Sequence, residues 1–256
     1  MVKDSSNVYL DTEQHSIKKS VILHLLPGLL ILFFYIITAP LLKKLGLPSM
    51  FTLYLAILFI LIPFELGYLF YQGKKENNRF SLKGIVLYRK NIPNWQYFVF
   101  VPVLLGWGII CFVFIAPPID SYLIKTLFSW LPNWFFLDDF VKNISLYSKS
   151  ALIATWILGL VLNGVFGPIV EELYFRGYLM PRISRLKGWA PLINVLLFSL
   201  YHFFTPWQNP ARILGFLPMA YVVWRKRNIY LSIFTHCLLN IGGMLLVMIP
   251  LIFGEL

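Results

Sequence analysis

The amino-acid sequence predicts an all-α membrane protein, a polytopic transmembrane helical bundle of about seven or eight helices. Composition is the first reason, since 59% of the 256 residues are hydrophobic, 13% are charged, and the mean hydropathy is +0.73. Apolar runs are the second, because about 20 apolar residues are enough to cross a bilayer. The third is an uneven distribution of Lys and Arg between the connecting segments. Such runs are too long for membrane strands, so we expect helices.

Seven apolar runs are the candidate spans, in chain order 21–42, 51–72, 97–116, 151–179, 190–205, 211–224 and 229–251. The fourth run contains Gly167-Pro168. We expect the helix to break there and to place the next residues at the positive N-terminus of a new segment. Residues 119–137 are rich in Trp and Phe, which favours an interfacial helix and loop. An eighth span in that stretch is the main alternative.

The positions of Lys and Arg predict how these helices are oriented. Fifteen lie in the segments expected inside, 1–20, 73–96, 180–189 and 225–228, and six in those expected outside, 43–50, 117–150 and 206–212. This asymmetry predicts a multi-pass protein of the cell membrane with a cytoplasmic N-terminus. It also accounts for the net charge of +11, so we expect no nucleic acid partner. Residues 1–20 lack the apolar core of a cleavable signal, so the first run is expected to remain as an anchor.

Polar side chains interrupt three of the last four apolar runs, at Glu171, Glu172, Arg176, His202, His236 and Asn240. A charged residue near the bilayer centre costs on the order of 3 kcal/mol, so such residues are functional candidates. Glu172 and Arg176 are four residues apart, within pairing reach on one helix face. Glu171 lies about 100° round the helix from Glu172 and therefore points elsewhere.

Depth in the membrane groups four of these residues. Counted from the inner edge of each run at about 1.5 Å per residue, they lie roughly 10 to 18 Å deep. His236 and Asn240 also share one helix face because they are four residues apart. We therefore expect Glu171, His202, His236 and Asn240 to form one site.

This set of side chains suits the hydrolysis of an amide without a covalent intermediate. A carboxylate in an apolar cavity can act as a base on water, and a neighbouring histidine can share that water. A second histidine and an asparagine amide can donate to a developing oxyanion. Catalysis by a Ser-His-Asp triad is less attractive, because Ser199 and Ser232 have no evident Asp partner and no GxSxG motif is present.

A metal site is the alternative use of the same residues. Glu171, His202 and His236 could provide three ligands to a divalent metal such as zinc, with water as the fourth, although no HExxH motif supports this. Cys111 and Cys237 lie in apolar runs without a CxxC pair, so a thiolate site is not expected. We expect no cofactor, and leave the zinc alternative open.

Three short motifs resemble those of the CAAX protease and bacteriocin-processing family, also called the Abi family. Glu171-Glu172 with Arg176 resembles its EExxxR motif, Phe198 to His202 its FxxxH motif, and His236 to Asn240 its HxxxN motif. The resemblance covers roughly residues 150–241. It implies an intramembrane endopeptidase with an all-helical core. The chain would then comprise an N-terminal membrane-spanning region, 1–149, and a catalytic helical core, 150–256.

The resemblance also implies a role for each motif residue. Glu171 and His202 would activate the attacking water, His236 and Asn240 would stabilise the oxyanion, and Glu172 and Arg176 would hold the site together. The expected partners are a membrane-associated polypeptide substrate and the lipid bilayer. Small residues are usual in the family between the last two motifs, whereas this chain has LGFLPMAYVVW at 214–224. No feature indicates a pocket for a prenylated cysteine, so CAAX cleavage is not assumed.

There is a second hypothesis for the function of the chain, and three other polar residues are assigned no role in the site. The protein could be non-catalytic, a bacteriocin-immunity factor or transporter partner, with the polar cluster as a proton relay or packing core. His24 and Glu65 are assigned to contacts between helices, as buried membrane residues of these types often are. His15 is assigned to a solvated tail.

Overall fold

The computed structural model describes residues 12–137 and 144–253, with side chains described as far as residue 246. It is an all-α helical bundle, so the predicted fold class is confirmed. Within the described residues the only β-type pairing is one isolated bridge between Arg89 and Asn228. Residues 1–11 of the expected inner tail, 138–143 of the expected outer segment and 254–256 of the expected core lie outside the described residues.

The helices follow the apolar runs of the sequence. They are α1 Ile17–Lys44, α2 Ser49–Asn77, α3 Asn94–Thr126, α4 Lys149–Leu179, α5 Trp189–Leu200, α6 Asn209–Lys226 and α7 Tyr230–Phe253. By length and composition, α1 to α4 could each cross a membrane, and α5 and the Tyr230–Leu246 part of α7 are shorter apolar helices. These features are those of a membrane protein. The number of spans and the orientation of the N-terminus stay predictions.

The predicted break at Gly167-Pro168 was wrong, because α4 runs through it. Residues Leu162–Phe166 and Glu172–Leu179 are π-helical, and Gly167–Glu171 between them is α-helical. A π-helical turn is wider than an α-helical one and can absorb a residue that disturbs the regular ladder. Glu171 and Glu172 therefore lie inside a continuous helix, and the argument from a helix N-terminus does not apply to them.

The stretch 119–137 also differs from its prediction. Residues 119–126 continue α3 as far as Thr126, and a short 3₁₀ turn follows at Asn133–Phe135. In the described part of this stretch neither a separate interfacial helix nor an eighth span is present. The turn is tied to α1, because the Tyr35 hydroxyl donates to the carbonyls of Trp134 and Phe135, at 3.2 and 3.0 Å.

His15 is buried, so its assignment to a solvated tail was wrong. Its side chain is 1% exposed and packs against the ring of Tyr178, with 5.7 Å between ring centroids. Its backbone N–H donates to the carbonyl of Arg182 at 2.8 Å. This bond fixes the chain just before α1 against the segment that follows α4.

The close approach of α1 to the end of α5 depends on Gly28. A Cβ built on Gly28 would lie 1.9 Å from the carbonyl oxygen of Tyr201. Real Cβ atoms do not approach a backbone atom so closely, because interiors are packed at van der Waals contact. Only glycine lets α1 lie against Tyr201 in this way, and Tyr201 is part of the site described next.

Candidate active site

Three of the polar residues predicted to share a site converge on one carboxyl group. Glu171 lies in α4, His202 follows the end of α5, and His236 lies in α7. Nε2 of His202 is 3.9 Å from Oε1 of Glu171, and Nε2 of His236 is 3.8 Å from Oε2. Both Glu171 and His236 are more than nine-tenths buried. The fold thus brings together residues more than 60 positions apart in sequence.

The two imidazoles are held in the same way. Nδ1 of His202 lies 2.9 Å from the carbonyl oxygen of Phe198, one helical turn earlier. Nδ1 of His236 lies 3.0 Å from Oε1 of Glu172. A ring nitrogen facing a carbonyl or carboxylate oxygen carries the proton as donor. Each ring is therefore anchored through Nδ1 and presents Nε2 to Glu171.

Glu172 contacts His236 as well as its ion-pair partner Arg176. Oε1 is 3.3 Å from Nη1 of Arg176, and both side chains are fully buried. The guanidinium of Arg176 also stacks on the ring of Phe198, 3.9 Å from its centroid, a favourable cation–π arrangement. Helical spacing predicts the pair with Arg176, whereas the contact with His236 joins α4 to α7. Glu172 thus links the ion pair to the site.

Asn240 lies one turn after His236 on α7, and its Nδ2 donates to the carbonyl of Asn163 at 2.8 Å. That carbonyl is available because of Pro168. In a π-helical turn an N–H bonds five residues back, as the N–H of Gly167 does to Leu162. Pro168 has no N–H to give to Asn163. The amide of Asn240 takes the open place, and this fixes the side chain beside the cavity.

A cavity of about 720 Å³ opens onto the site, and its lining is mainly apolar. Glu171, His202, His236 and Asn240 all border it. Its apolar walls come from both parts of the chain, including Ile31 of α1, Tyr54 and Leu61 of α2, Phe112 of α3, and Phe216 of α6. Pockets of this size that are mostly apolar, with a few convergent polar groups, are typical of ligand sites.

Sequence reasoning missed Tyr201 as a residue of the site. Its hydroxyl donates to Oε1 of Glu171, and its ring lies against that of His202 with 4.2 Å between centroids. The available signal was its place inside the motif from Phe198 to His202. Its contact with Glu171 becomes visible only when α4 and α5 are packed together.

The two residues assigned to helix contacts have different surroundings. His24 makes such contacts, since Nδ1 donates to the carbonyl of Ser20 at 2.7 Å and Nε2 accepts from Asn194 at 3.1 Å. Glu65 is fully buried, yet neither of its carboxyl oxygens has a hydrogen-bond partner among the described residues. It lies within electrostatic range of Glu171 but outside the lining of the cavity.

The donor types of Glu171, His202 and His236 suit zinc, which binds imidazole nitrogen and carboxylate oxygen. Their arrangement does not match a metal centre, since no group of three or more His, Cys, Asp or Glu side chains in the described residues is placed to hold an ion. Oε1 of Glu171 also accepts the hydroxyl of Tyr201. The residues as placed therefore do not fit the zinc alternative.

A comparison with known proteins finds a match in the same part of the chain. Residues 153–242 match the family described as type II CAAX prenyl endopeptidase Rce1-like. The family resemblance is confirmed. All three motifs of this CAAX protease family fall within the matched segment, which extends from α4 into α7. No curated protein and no solved structure gives a significant match. The family match supports a protease activity in general terms.

Proposed function

We propose that the protein is an intramembrane endopeptidase that hydrolyses a peptide bond of a membrane-associated polypeptide with water as the nucleophile. One observation carries the proposal: two imidazole Nε2 atoms face a single buried carboxyl group at the edge of an apolar cavity. The segment that contains them is the one that matches the CAAX protease family.

In the proposed reaction, Glu171 acts as the base. A water held between its carboxylate and Nε2 of His202 gives a proton to Glu171 and attacks the scissile carbonyl carbon. The tetrahedral intermediate then expels the amine, which receives the proton from Glu171 as the C–N bond breaks. Tyr201 keeps the carboxyl group of Glu171 oriented through its hydrogen bond. No metal takes part in this proposed reaction.

The oxyanion of the intermediate would be held from α7. In this proposal Nε2 of His236 faces the oxyanion, and the carboxylate of Glu172 beside Nδ1 holds the ring in place. Asn240 donates the amide N–H that is not bonded to Asn163. Donors aimed at a developing oxyanion in a site away from water are among the largest contributions to catalysis.

The substrate in this proposal is an apolar segment of a polypeptide in the cell membrane. The walls of the cavity are mostly apolar and include a few polar groups, a composition that suits an apolar segment with one reacting bond. The multi-pass topology with a cytoplasmic N-terminus belongs to the same proposal. The description of the matched family names a prenyl endopeptidase. The chemistry proposed here does not require a prenyl group on the substrate.

The test is cleavage of a library of membrane peptides by the purified protein in lipid nanodiscs. Wild type should cleave at least one peptide, and Glu171→Gln should lower kcat/KM at least about 100-fold, because a positioned base contributes about that much or more. Glu13→Gln is the matched control, since Glu13 is exposed and its ion pair with Lys19 lies at the surface. It should retain wild-type activity.

Two outcomes would overturn the proposal. Cleavage that survives in Glu171→Gln would remove Glu171 from the mechanism. No cleavage by wild type across the library would favour the non-catalytic alternative, in which the polar cluster is a relay or packing core. Metal analysis of active protein, with chelation and zinc rescue, tests the zinc-dependent alternative. Loss of activity on chelation and recovery with zinc would replace the metal-free mechanism.

A further inference from the structure

Arg212 is a buried cation in the wall of the cavity. It lies in the first turn of α6, its side chain is 7% exposed, and it borders the same cavity as Glu171 and His202. In the sequence, Arg212 is the one positive charge of the expected outer segment 206–212 and bears only on the predicted orientation of the chain in the membrane. Its place in the fold is different, because Arg212 lines the cavity that Glu171 and His202 also border.

The hydrogen-bond partners of Arg212 are all uncharged. Nη1 donates to Oδ1 of Asn209 at 3.0 Å, and Nη2 donates to Oγ1 of Thr205 and to Oε1 of Gln208, each at 2.9 Å. A guanidinium has five N–H donors, so these bonds use three. Among the described residues no carboxylate lies within ion-pair distance, and Asp120 acts on Arg212 only from farther away.

Arg176, in the same bundle, is a buried arginine whose charge is balanced by a nearby carboxylate. It is fully buried with a carboxylate at 3.3 Å, whereas Arg212 has none. Taking a charge out of water costs several kcal/mol unless an opposite charge repays it. The three neutral acceptors around Arg212 could be satisfied by a neutral donor side chain. The positive charge itself therefore has no structural use in the contacts that the structure shows.

We propose that Arg212 is a specificity-determining residue that binds a carboxylate of the polypeptide substrate close to the scissile bond. Three bonds leave the guanidinium an N–H on Nε and one on Nη1, and its positive charge favours a carboxylate as their acceptor. Arg212 lies within electrostatic range of Glu171 and Tyr201, so a carboxylate bound there belongs to a residue near the bond that is cleaved. This inference rests on the proposed peptidase function.

Two parts of a polypeptide can provide such a carboxylate, its free C-terminus or an Asp or Glu side chain. The probe is a peptide that wild type cleaves, prepared in matched forms. One pair differs only in a C-terminal carboxylate or carboxamide. The other pair carries a C-terminal carboxamide and differs only in Glu or Gln beside the scissile bond. We expect wild type to favour the carboxylate form of one pair at least about ten-fold in kcat/KM, a change equal to about 1.4 kcal/mol.

Substitutions of Arg212 identify the residue responsible. Arg212→Gln keeps a donor for the neutral partners but removes the charge, and should abolish the preference for the carboxylate form over the neutral form. Arg212→Lys keeps the charge without the planar fork and should retain part of the preference. Peptide affinity for Glu171→Gln protein, with and without Arg212→Gln, measures the same preference without turnover.

The outcomes separate this inference from the proposed function. Equal cleavage of carboxylate and neutral peptides by wild type overturns the role of Arg212 and leaves the peptidase intact. A preference that persists in Arg212→Gln also overturns it. Should Arg212→Gln fail to fold, Arg212→Lys and the affinity of Glu171→Gln protein decide. If wild type cleaves no peptide of the library, the peptidase proposal fails and no probe is obtained from it. Binding of matched carboxylate and neutral library peptides to Glu171→Gln protein is then measured, and equal affinity would overturn the role of Arg212 as well.

Discussion

The first three helices and the last four contribute to the site in different ways. In α4 to α7 the buried polar residues contact one another, as Glu172 contacts both Arg176 and His236. In α1 to α3 the contribution is mostly shape, through the apolar cavity walls and the close packing of Gly28. The family match falls entirely in the second group. In the proposed function the second group therefore provides the reacting side chains, whereas the first group supports them and shapes the cavity.

This division predicts that substitutions should fail for different reasons in the two groups. In the second group, loss of one charge leaves another buried charge unpaired. In the first group, the expected damage is steric, and the polar cluster should suffer only because its supports move. The following predictions test the difference, beginning with the largest expected effect.

Glu172→Gln should be strongly destabilising. Removal of one partner from a buried ion pair leaves the other uncompensated and costs about 3–5 kcal/mol, and Arg176 is fully buried. Thermal unfolding in detergent measures the loss. The double variant Glu172→Gln with Arg176→Met should recover much of the stability, because it removes the orphaned charge. It should not recover activity, since Nδ1 of His236 would still lack its carboxylate.

Glu76→Gln is the control for that prediction. Glu76 also pairs with an arginine, Arg182, but at 3.7 Å and with its side chain 39% exposed. Arg182 is buried, but its guanidinium also donates to the carbonyls of Ile85 and Tyr178. The Glu76 end of the pair is in contact with solvent, so this variant should lose less stability than Glu172→Gln. Equal losses for Glu76→Gln and Glu172→Gln would contradict the view that the buried network stabilises the second group. So would an active double variant.

Gly28→Ala tests the steric contribution of the first group. The new methyl group would meet the backbone of Tyr201 at 1.9 Å, and overpacking of this kind typically costs about 1–3 kcal/mol. Activity should fall as well, because Tyr201 and His202 would move away from Glu171. Thermal unfolding and kcat/KM are measured together on the purified variant.

Gly67→Ala is the matched substitution in the same group of helices. Nothing lies within 4 Å of a Cβ at Gly67, and alanine is favoured over glycine inside a helix by about 0.5–1 kcal/mol. This variant should be at least as stable as wild type and fully active. An active and stable Gly28→Ala protein would show that α1 does not position Tyr201. It would contradict the view that the first group of helices supports the site by close packing.

Contacts within one helix could be predicted from the sequence, and contacts between helices mostly could not. The pairing of Glu172 with Arg176 follows from a spacing of four residues. That His202 and His236 would meet Glu171 was inferred from equal depth and from the family motifs. Tyr201, Gly28 and Arg212 were missed because their partners lie on other helices or in a connecting segment. The sequence around each residue does not reveal these contacts, although Tyr201 lies inside the motif from Phe198 to His202.

The errors in the helix predictions have a local physical cause. Gly167-Pro168 is a strong signal for a break, yet π-helical turns on either side let α4 continue. The same proline leaves the carbonyl of Asn163 open for Asn240. A rule based on single residues predicts disruption at such a place, whereas the packed bundle uses the irregular turns to fix a side chain of the site.

The smallest predicted effect concerns the contact between the chain before α1 and the second group. Burial, and then the positive charges of Lys19 and Arg182, lower the pKa of His15 to about 4, from an ordinary value of about 6.5. Between these values the unfolded chain binds a proton that the folded protein does not. Stability is therefore complete above pH 6.5 and falls as the pH drops toward 4.

We expect a loss of about 1 kcal/mol or less between pH 7 and pH 5, since solvent screens the nearby charges and part of the shift. His15→Phe keeps a ring against Tyr178 and removes the proton, so the difference in unfolding free energy between wild type and variant should shrink as the pH rises. Glu13 opposes the shift weakly, and Glu13→Gln should therefore steepen the dependence slightly. An identical pH dependence in wild type and His15→Phe would show that this contact does not sense protons. The first group would then support the site by shape alone.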